Sequence, residues 1–412
     1  MPTVTNNNLR MIDLPIWEQL SFSPATSAAG TCCVDDNSRF IYFLFSATSF
    51  WAYDTWANSW QQLANPTGGT VGAGTCMQYT GMMGGQFPNT STGTVYGSIF
   101  ALITSGTGSP VFNKYDIATN SWSALSVTNL PATFGTDGSM AFPSPLLNNY
   151  TGGYHSGVLQ TVTASAGAII GATSVSVSAL PTALPLGAVL NFGTTAAPKY
   201  AVLTASAAAS ATTITVSPLI TAINSADTAL WYDNLYLIGN AATQMYRYTL
   251  SSNTWATTSA NSGNPALPAI TAAPGAGNIL KWLPGDNTGR LVLIRGGATS
   301  NIYLYDLVAN TWSTLTFHPT TETFTTGTCS GAVSDSNGRP YKVWIHKDAT
   351  NRIYELNMST TRLNPSANQY LLSQGAALVG DKASILKSPD GIQYFYMLLS
   401  TSTSFLRTPL FF

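Results

Sequence analysis

The sequence predicts an all-β protein: a six-bladed β-propeller whose third blade carries a small inserted β-domain. Three observations predict it: the composition, a recurring strand–turn–strand phrase, and the spacing of its tryptophans. Only 8% of the 412 residues are charged, against roughly 25% in ordinary soluble domains. Lys, Glu and Arg normally fill exposed helix faces, so their scarcity argues against a helical fold. Aromatic residues at 11% keep the chain out of the disordered class.

The recurring phrase is "YDIATNSW" from Tyr115 to Trp122. It returns as "YDTWANSW" from Tyr53, "YTLSSNTW" from Tyr248 and "YDLVANTW" from Tyr305. Each copy ends an alternating strand, makes a polar turn and opens a second strand on a Trp. "ELNMSTTRL" from Glu355 puts Leu363 in the Trp position, and "IWEQL" from Ile16 supplies Trp17 alone. Upstream lies a second hairpin, as in "CCVDDNSRFIYFLF" from Cys32 and "LKWLPGDNTGRLVLI" from Leu280. Together they make a four-stranded unit, strands a to d, and such units in series are propeller blades.

The anchors Trp17, Trp60, Trp122, Trp255, Trp312 and Leu363 give six blades. The first anchor has no strands before it, and the last set of strands, from Gly375, has no strand d after it. The N-terminal segment 16–20 is therefore expected to complete the C-terminal blade, which removes the open sheet edges. The innermost strands should be small where they crowd the axis: "GTCC", "GTCM", "GSMA" and "GTCS" begin at Gly30, Gly74, Gly138 and Gly327. This places Cys32, Cys76 and Cys329 in equivalent positions. They are read as small core residues, with a thiol cluster as the alternative.

Anchor spacings run from 43 to 62 residues, except for 133 between Trp122 and Trp255. The excess gives the expected division: propeller in 1–157, inserted domain in 158–232, propeller again in 233–412. The insertion repeats internally, because "ATSVSVSALPTALPLGAVLNF" from Ala172 aligns without gaps on "ATTITVSPLITAINSADTALW" from Ala211. It is expected to be an all-β domain of two similar halves.

The blades resemble kelch-type propellers, through Tyr53-Asp54, Tyr115-Asp116 and Tyr305-Asp306 with their following Trp60, Trp122 and Trp312. The kelch double glycine is kept at Gly296-Gly297, matched loosely at Gly84-Gly85, and absent elsewhere. Kelch-like propellers include protein-binding scaffolds and a few copper oxidases, so the fold alone does not select a function. The insertion resembles small β-modules of tailed-bacteriophage virion proteins, in which an "ATTITV" strand precedes a "G-x-V-L-x-F" strand. That resemblance implies a virion structural protein, head-, neck- or tail-associated, assembled in the bacterial cytoplasm.

The chemistry-bearing residues do not converge. His155, His318 and His346 fall in different blades or on different rims, and no paired His and Tyr set suits copper, so no metal or other cofactor is expected. Asp35, Asp36, Asp286, Asp335 and Asp390 are placed in a–b turns, where Asp bonds its own backbone. Asp54, Asp116 and Asp306 recur with the repeat, as a turn residue does and a catalytic residue does not. "MMGGQF" from Met82 lacks the helix a phosphate loop needs. Trp51, Tyr53 and Trp56 form a dense aromatic group, read as inter-blade core with sugar stacking as the alternative.

The net charge of −1 without a basic run argues against nucleic acid. No apolar run approaches the ~18 residues of a membrane span. The N-terminal "MPTVTNNNLR" has no apolar leader, and four cysteines, two of them adjacent, do not form a disulfide framework. The expectation is a non-enzymatic virion protein in several copies, docking other virion proteins or a host-surface glycan or receptor. A carbohydrate-binding or glycan-cleaving propeller at a tail tip is the alternative.

Overall fold

The computed structural model describes residues 17–80, 98–142, 160–256, 267–283, 290–306, 311–315, 322–365 and 382–410, less stretches of one to five residues within those ranges. Every regular element among them is a strand.

The short strand β1 (Glu18–Gln19) comes first in the chain and last in the ring. The first full blade is β2 (Cys32–Asp35), β3 (Phe40–Phe45), β4 (Ser49–Asp54) and β5 (Ser59–Gln62). The second is β6 (Cys76–Tyr79), β7 (Ser98–Ile103), β8 (Val111–Asp116) and β9 (Ser121–Leu125). The third opens with β10 (Ser139–Ala141) and is interrupted by the insertion, which holds β11 (Gln160–Thr163), β12 (Ser174–Ser176), β13 (Val189–Asn191), β14 (Tyr200–Val202), β15 (Thr213–Thr215) and β16 (Thr228–Trp231). It resumes with β17 (Asn234–Ile238), β18 (Met245–Thr249) and β19 (Thr254–Ala256). The fourth is β20 (Ile279–Trp282), β21 (Arg290–Ile294), β22 (Ile302–Asp306) and β23 (Thr311–Thr314). The fifth is β24 (Cys329–Ser334), β25 (Pro340–His346), β26 (Ile353–Asn357) and β27 (Arg362–Pro365). The sixth is β28 (Lys382–Lys387), β29 (Gln393–Leu398) and β30 (Phe405–Pro409).

Each blade is an antiparallel meander in strand order, and β1 pairs with β30 to give the sixth blade its fourth strand. The protein is a six-bladed β-propeller closed by its N-terminal strand. Closure extends past β1: the N–H groups of Leu20 and Ser23 donate to the carbonyls of Phe405 and Thr403, both at 2.8 Å. Arg407 Nε meets Glu18 Oε2 at 2.7 Å across the same seam. The inner strands β2, β6, β10, β20, β24 and β28 adjoin one another in a closed cycle.

Six separate apolar clusters lie between consecutive blades, and a seventh fills the insertion. Small residues are needed near the axis, as expected. A Cβ on Gly74 would strike the Gly135 carbonyl, and one on Gly138 would strike that of Gly74. Gly296 and Gly297 take φ of 69° and 63°, a region that favours glycine. Gly84 and Gly85 lie outside the described residues.

The insertion consists of a four-stranded sheet, β11-β16-β13-β14, and the pair β12-β15. Its two halves interlace. Every described strand pair joins one half to the other. Val175 stands opposite Ile214, its own counterpart in the repeat, and Asn191 opposite Leu230, likewise its counterpart. The halves are therefore related by a local twofold axis. Among the described residues their shared core is aliphatic except for Phe192.

Candidate functional site

The repeated phrase builds one device. Tyr and Trp face each other across the c–d hairpin: Tyr53–Trp60, Tyr115–Trp122, Tyr248–Trp255 and Tyr305–Trp312 are direct cross-strand pairs. Their ring centroids are 5.0–5.1 Å apart. Between them, Asn58, Asn120 and Asn253 take φ of 49–50°, a left-handed conformation that Asn tolerates better than most residues. Each Asn Oδ1 accepts the Tyr hydroxyl at 2.8–2.9 Å. It also accepts a backbone N–H from the linker before the blade, at Ser21, Ala64 or Ser126, each at 2.9 Å. The carbonyl of that same linker residue accepts the Trp indole N–H, at 3.2, 2.6 and 2.9 Å. In the fourth blade the acceptor is the carbonyl of Pro268, at 3.2 Å. Proline has no N–H to give the Asn.

Each clamp also presses an aromatic of the preceding blade. Phe405, Phe50 and Phe112 lie 4.7–4.9 Å from the rings of Tyr53, Tyr115 and Tyr248. Burial pushes the Tyr115 hydroxyl up to about 12, with Asp116 adding to the shift. It therefore remains a neutral donor. Trp17 meets Phe395 edge-on at 6.2 Å in the closing blade. In the fifth blade Leu363 stands opposite Leu356.

The axial channel is a cavity of about 280 Å³ to which every blade contributes lining. Most of its hydroxyls are engaged in fastening loops. Thr75 Oγ accepts from Gly72 at 3.1 Å, Ser139 Oγ accepts from the Leu280 N–H at 2.8 Å, and Thr328 Oγ donates to the Thr325 carbonyl at 2.8 Å. Asp137 Oδ2 accepts from the Gly277 N–H at 3.0 Å. Cys32, Cys76 and Cys329 border the channel, but each belongs to a different inter-blade cluster. Burial raises the Cys76 thiol well above its ordinary value, with Cys32 adding to the shift. A protonated thiol is neither a nucleophile nor a good metal ligand.

Among the described residues no group of three or more His, Cys, Asp or Glu side chains could hold a metal ion. His346 ends β25 fully buried, and His155 and His318 lie outside the described residues. Asp36 Oδ1 accepts the Arg39 and Phe40 N–H groups at 2.8 and 2.9 Å, which is a turn role. Asp35 differs from the expectation: it is the last residue of β2, and its carboxylate accepts the Ser384 hydroxyl of the neighbouring blade. Asp286, Asp335 and Asp390 lie outside the described residues.

The aromatic group of the first blade divides. Tyr53 is fully buried and Trp51 packs against an inter-blade cluster. Trp56 is 54% exposed. Arg39 lies over it at 4.9 Å and is itself bonded to Asp54 through Nε at 2.8 Å and through Nη2. Burial opposes ionisation of Asp54, but the bonds from Arg39 and from the N–H groups of Trp56 and Ala57 prevail and hold it below its usual range. Sequence reasoning missed this corner, although the register sets Phe40, the neighbour of Arg39, opposite Asp54.

No protein-family model matches the chain, and no curated protein matches it. Solved structures resemble it in outline. An auxiliary nutrient binding protein from Bacteroides ovatus is 10% identical, with a TM-score of 0.48 over 96% of this chain and 73% of that one. An arginine-to-alanine mutant of AofleA from Arthrobotrys oligospora is 10% identical, with a TM-score of 0.46 over 96% and 86%. A structural-genomics protein of unknown function from Bacteroides thetaiotaomicron is 7% identical, with a TM-score of 0.47 over 95% and 75%. Likenesses at this level support no statement about what the chain binds.

Proposed function

We propose that the protein is a non-enzymatic interaction protein of a tailed-bacteriophage virion, a rigid kelch-like propeller that presents its inserted domain to other virion proteins. The observation that carries the reading is an asymmetry in the insertion. At one end of the twofold pair, Ile169, Ile170 and Ile220 are 78%, 65% and 66% exposed. Their counterparts at the other end are Ala208, Ala209 and Pro181. Because the fold is the same at both ends, folding does not require the isoleucines, and a contiguous exposed apolar patch suits a docking surface. The engagement of the repeated polar groups in blade architecture supports the non-enzymatic part of the reading.

Mass spectrometry of purified particles tests it: the chain should be present, and its absence overturns the virion reading. The triple variant Ile169→Ser, Ile170→Ser, Ile220→Ser should lower incorporation while leaving the melting temperature unchanged. A second reading, a carbohydrate-binding propeller at a tail tip, is favoured by the exposed indole of Trp56.

A further inference from the structure

The turn of the repeated phrase can be compared across blades. At the position of Trp56, the second, third and fourth blades have Ala118, Ser251 and Val308. The hairpin strands keep the same Tyr–Trp register without an aromatic there, so its presence in the first blade is not a folding requirement. The Trp is also held firmly. Asp54 Oδ1 accepts the N–H groups of Trp56 and Ala57 at 2.9 and 3.2 Å, which fixes the backbone that carries the ring. The Arg39 guanidinium covers one side of the indole, and its own position is fixed by two bonds to Asp54. Among the described residues the indole N–H of Trp56 has no partner, whereas the indole N–H groups of Trp60, Trp122, Trp255 and Trp312 each have one.

An exposed, immobilised aromatic beside unused N–H donors suits a ligand with one apolar face and a polar edge. A pyranose ring has that form: its C–H face lies on the indole, and its hydroxyls reach the indole N–H and the remaining guanidinium N–H groups. Charge narrows the class. The Arg39 guanidinium is already paired with the Asp54 carboxylate through Nε and Nη2. That pairing leaves the guanidinium no full charge for a sugar carboxylate, which disfavours uronic and sialic acids. We propose that Trp56, Arg39 and Asp54 form a binding site for the face of a neutral pyranose. The proposal rests on the carbohydrate-binding reading and adds the site and the sugar class.

The test uses the full chain, titrated by calorimetry and saturation-transfer NMR. The probes are the methyl glycosides of glucose, galactose and N-acetylglucosamine, with methyl sialoside as the acidic comparison. At least one neutral glycoside should bind saturably, and Trp56→Ala should weaken it about tenfold or more. Arg39→Gln should weaken it less. The melting temperature of Trp56→Ala should stay at the wild-type value, because the ring is exposed. Failure of every neutral glycoside to bind overturns both the site and the carbohydrate reading. Binding that survives Trp56→Ala overturns the site alone. Tighter binding of the sialoside overturns the neutral-sugar assignment.

Discussion

The propeller and its insertion are both built from repeats, yet they close by opposite rules. Each of the first three blades grips the linker and an aromatic of the blade before it, through a clamp that points one way round the ring. Such a contact is heterologous and terminates only when the rotation closes, which here takes six blades and the borrowed strand β1. The halves of the insertion pair face to face, Val175 against Ile214. That contact is isologous, and two copies complete it. The number of repeats in each region follows from the symmetry of its interface. So does the chemistry: a directional joint needs distinct donor and acceptor, supplied by Trp, Asn and the linker, whereas a self-complementary joint can be made from apolar side chains alone.

The largest expected effect tests the directional joint. Trp255 is 1% exposed and donates its indole N–H to Ser126 at 2.9 Å. Trp255→Ala should cost about 3–5 kcal/mol, read by chemical denaturation of the propeller, and a loss below about 1 kcal/mol would mean that the clamp does not hold the blades. Next is the self-complementary joint. Ile214→Ala, at the local axis of the insertion, should cost about 2–5 kcal/mol. Hydrogen exchange should locate that loss in residues 160–231 and leave blade amides protected; equal exposure in both would break the distinction between the regions.

A smaller effect isolates the polar half of the clamp. Asn120→Gly permits the positive φ but deprives the Tyr115 hydroxyl and the Ala64 N–H of their shared acceptor. The expected loss is about 1–3 kcal/mol, and an unchanged midpoint would reduce the Asn to a turn residue. The smallest effect is electrostatic. Asp54 is held below the ordinary carboxylate value, so the native state binds its proton less readily than the unfolded chain. Its contribution is fully present above the unfolded value of about 4. It is lost as pH falls through the lower folded value. Because the pair is partly solvated, Asp54→Asn should remove only about 0–1 kcal/mol at neutral pH. The wild-type advantage over this variant should shrink as pH falls below the unfolded value and vanish in strong acid; an advantage that persists there would assign it to something other than charge.

The number and order of the blades were legible because each blade repeats the same local words, and strand, turn and aromatic anchor are all encoded within about ten residues. The ring closure was legible from the two incomplete ends. The acceptors of the clamps were not, since the partners of Trp60, Trp122 and Trp255 are backbone carbonyls 39, 58 and 129 residues away, and a carbonyl has no sequence signature. Nor was the separation of Trp56 from Trp51 and Tyr53. Neighbouring aromatics look alike in sequence, and only the packing of the adjoining blade decides which are covered.

The insertion divides in the same way. The alignment of Ala172 on Ala211 establishes that the halves are alike, but alikeness permits either half to fold on itself. Only the tertiary structure decides that every described strand pair crosses between halves. Sequence by itself determined what repeats in this protein, because hydrophobic period and turn chemistry are local. Tertiary structure decided what each repeat holds, because hydrogen-bond acceptors and buried faces are supplied by residues distant along the chain.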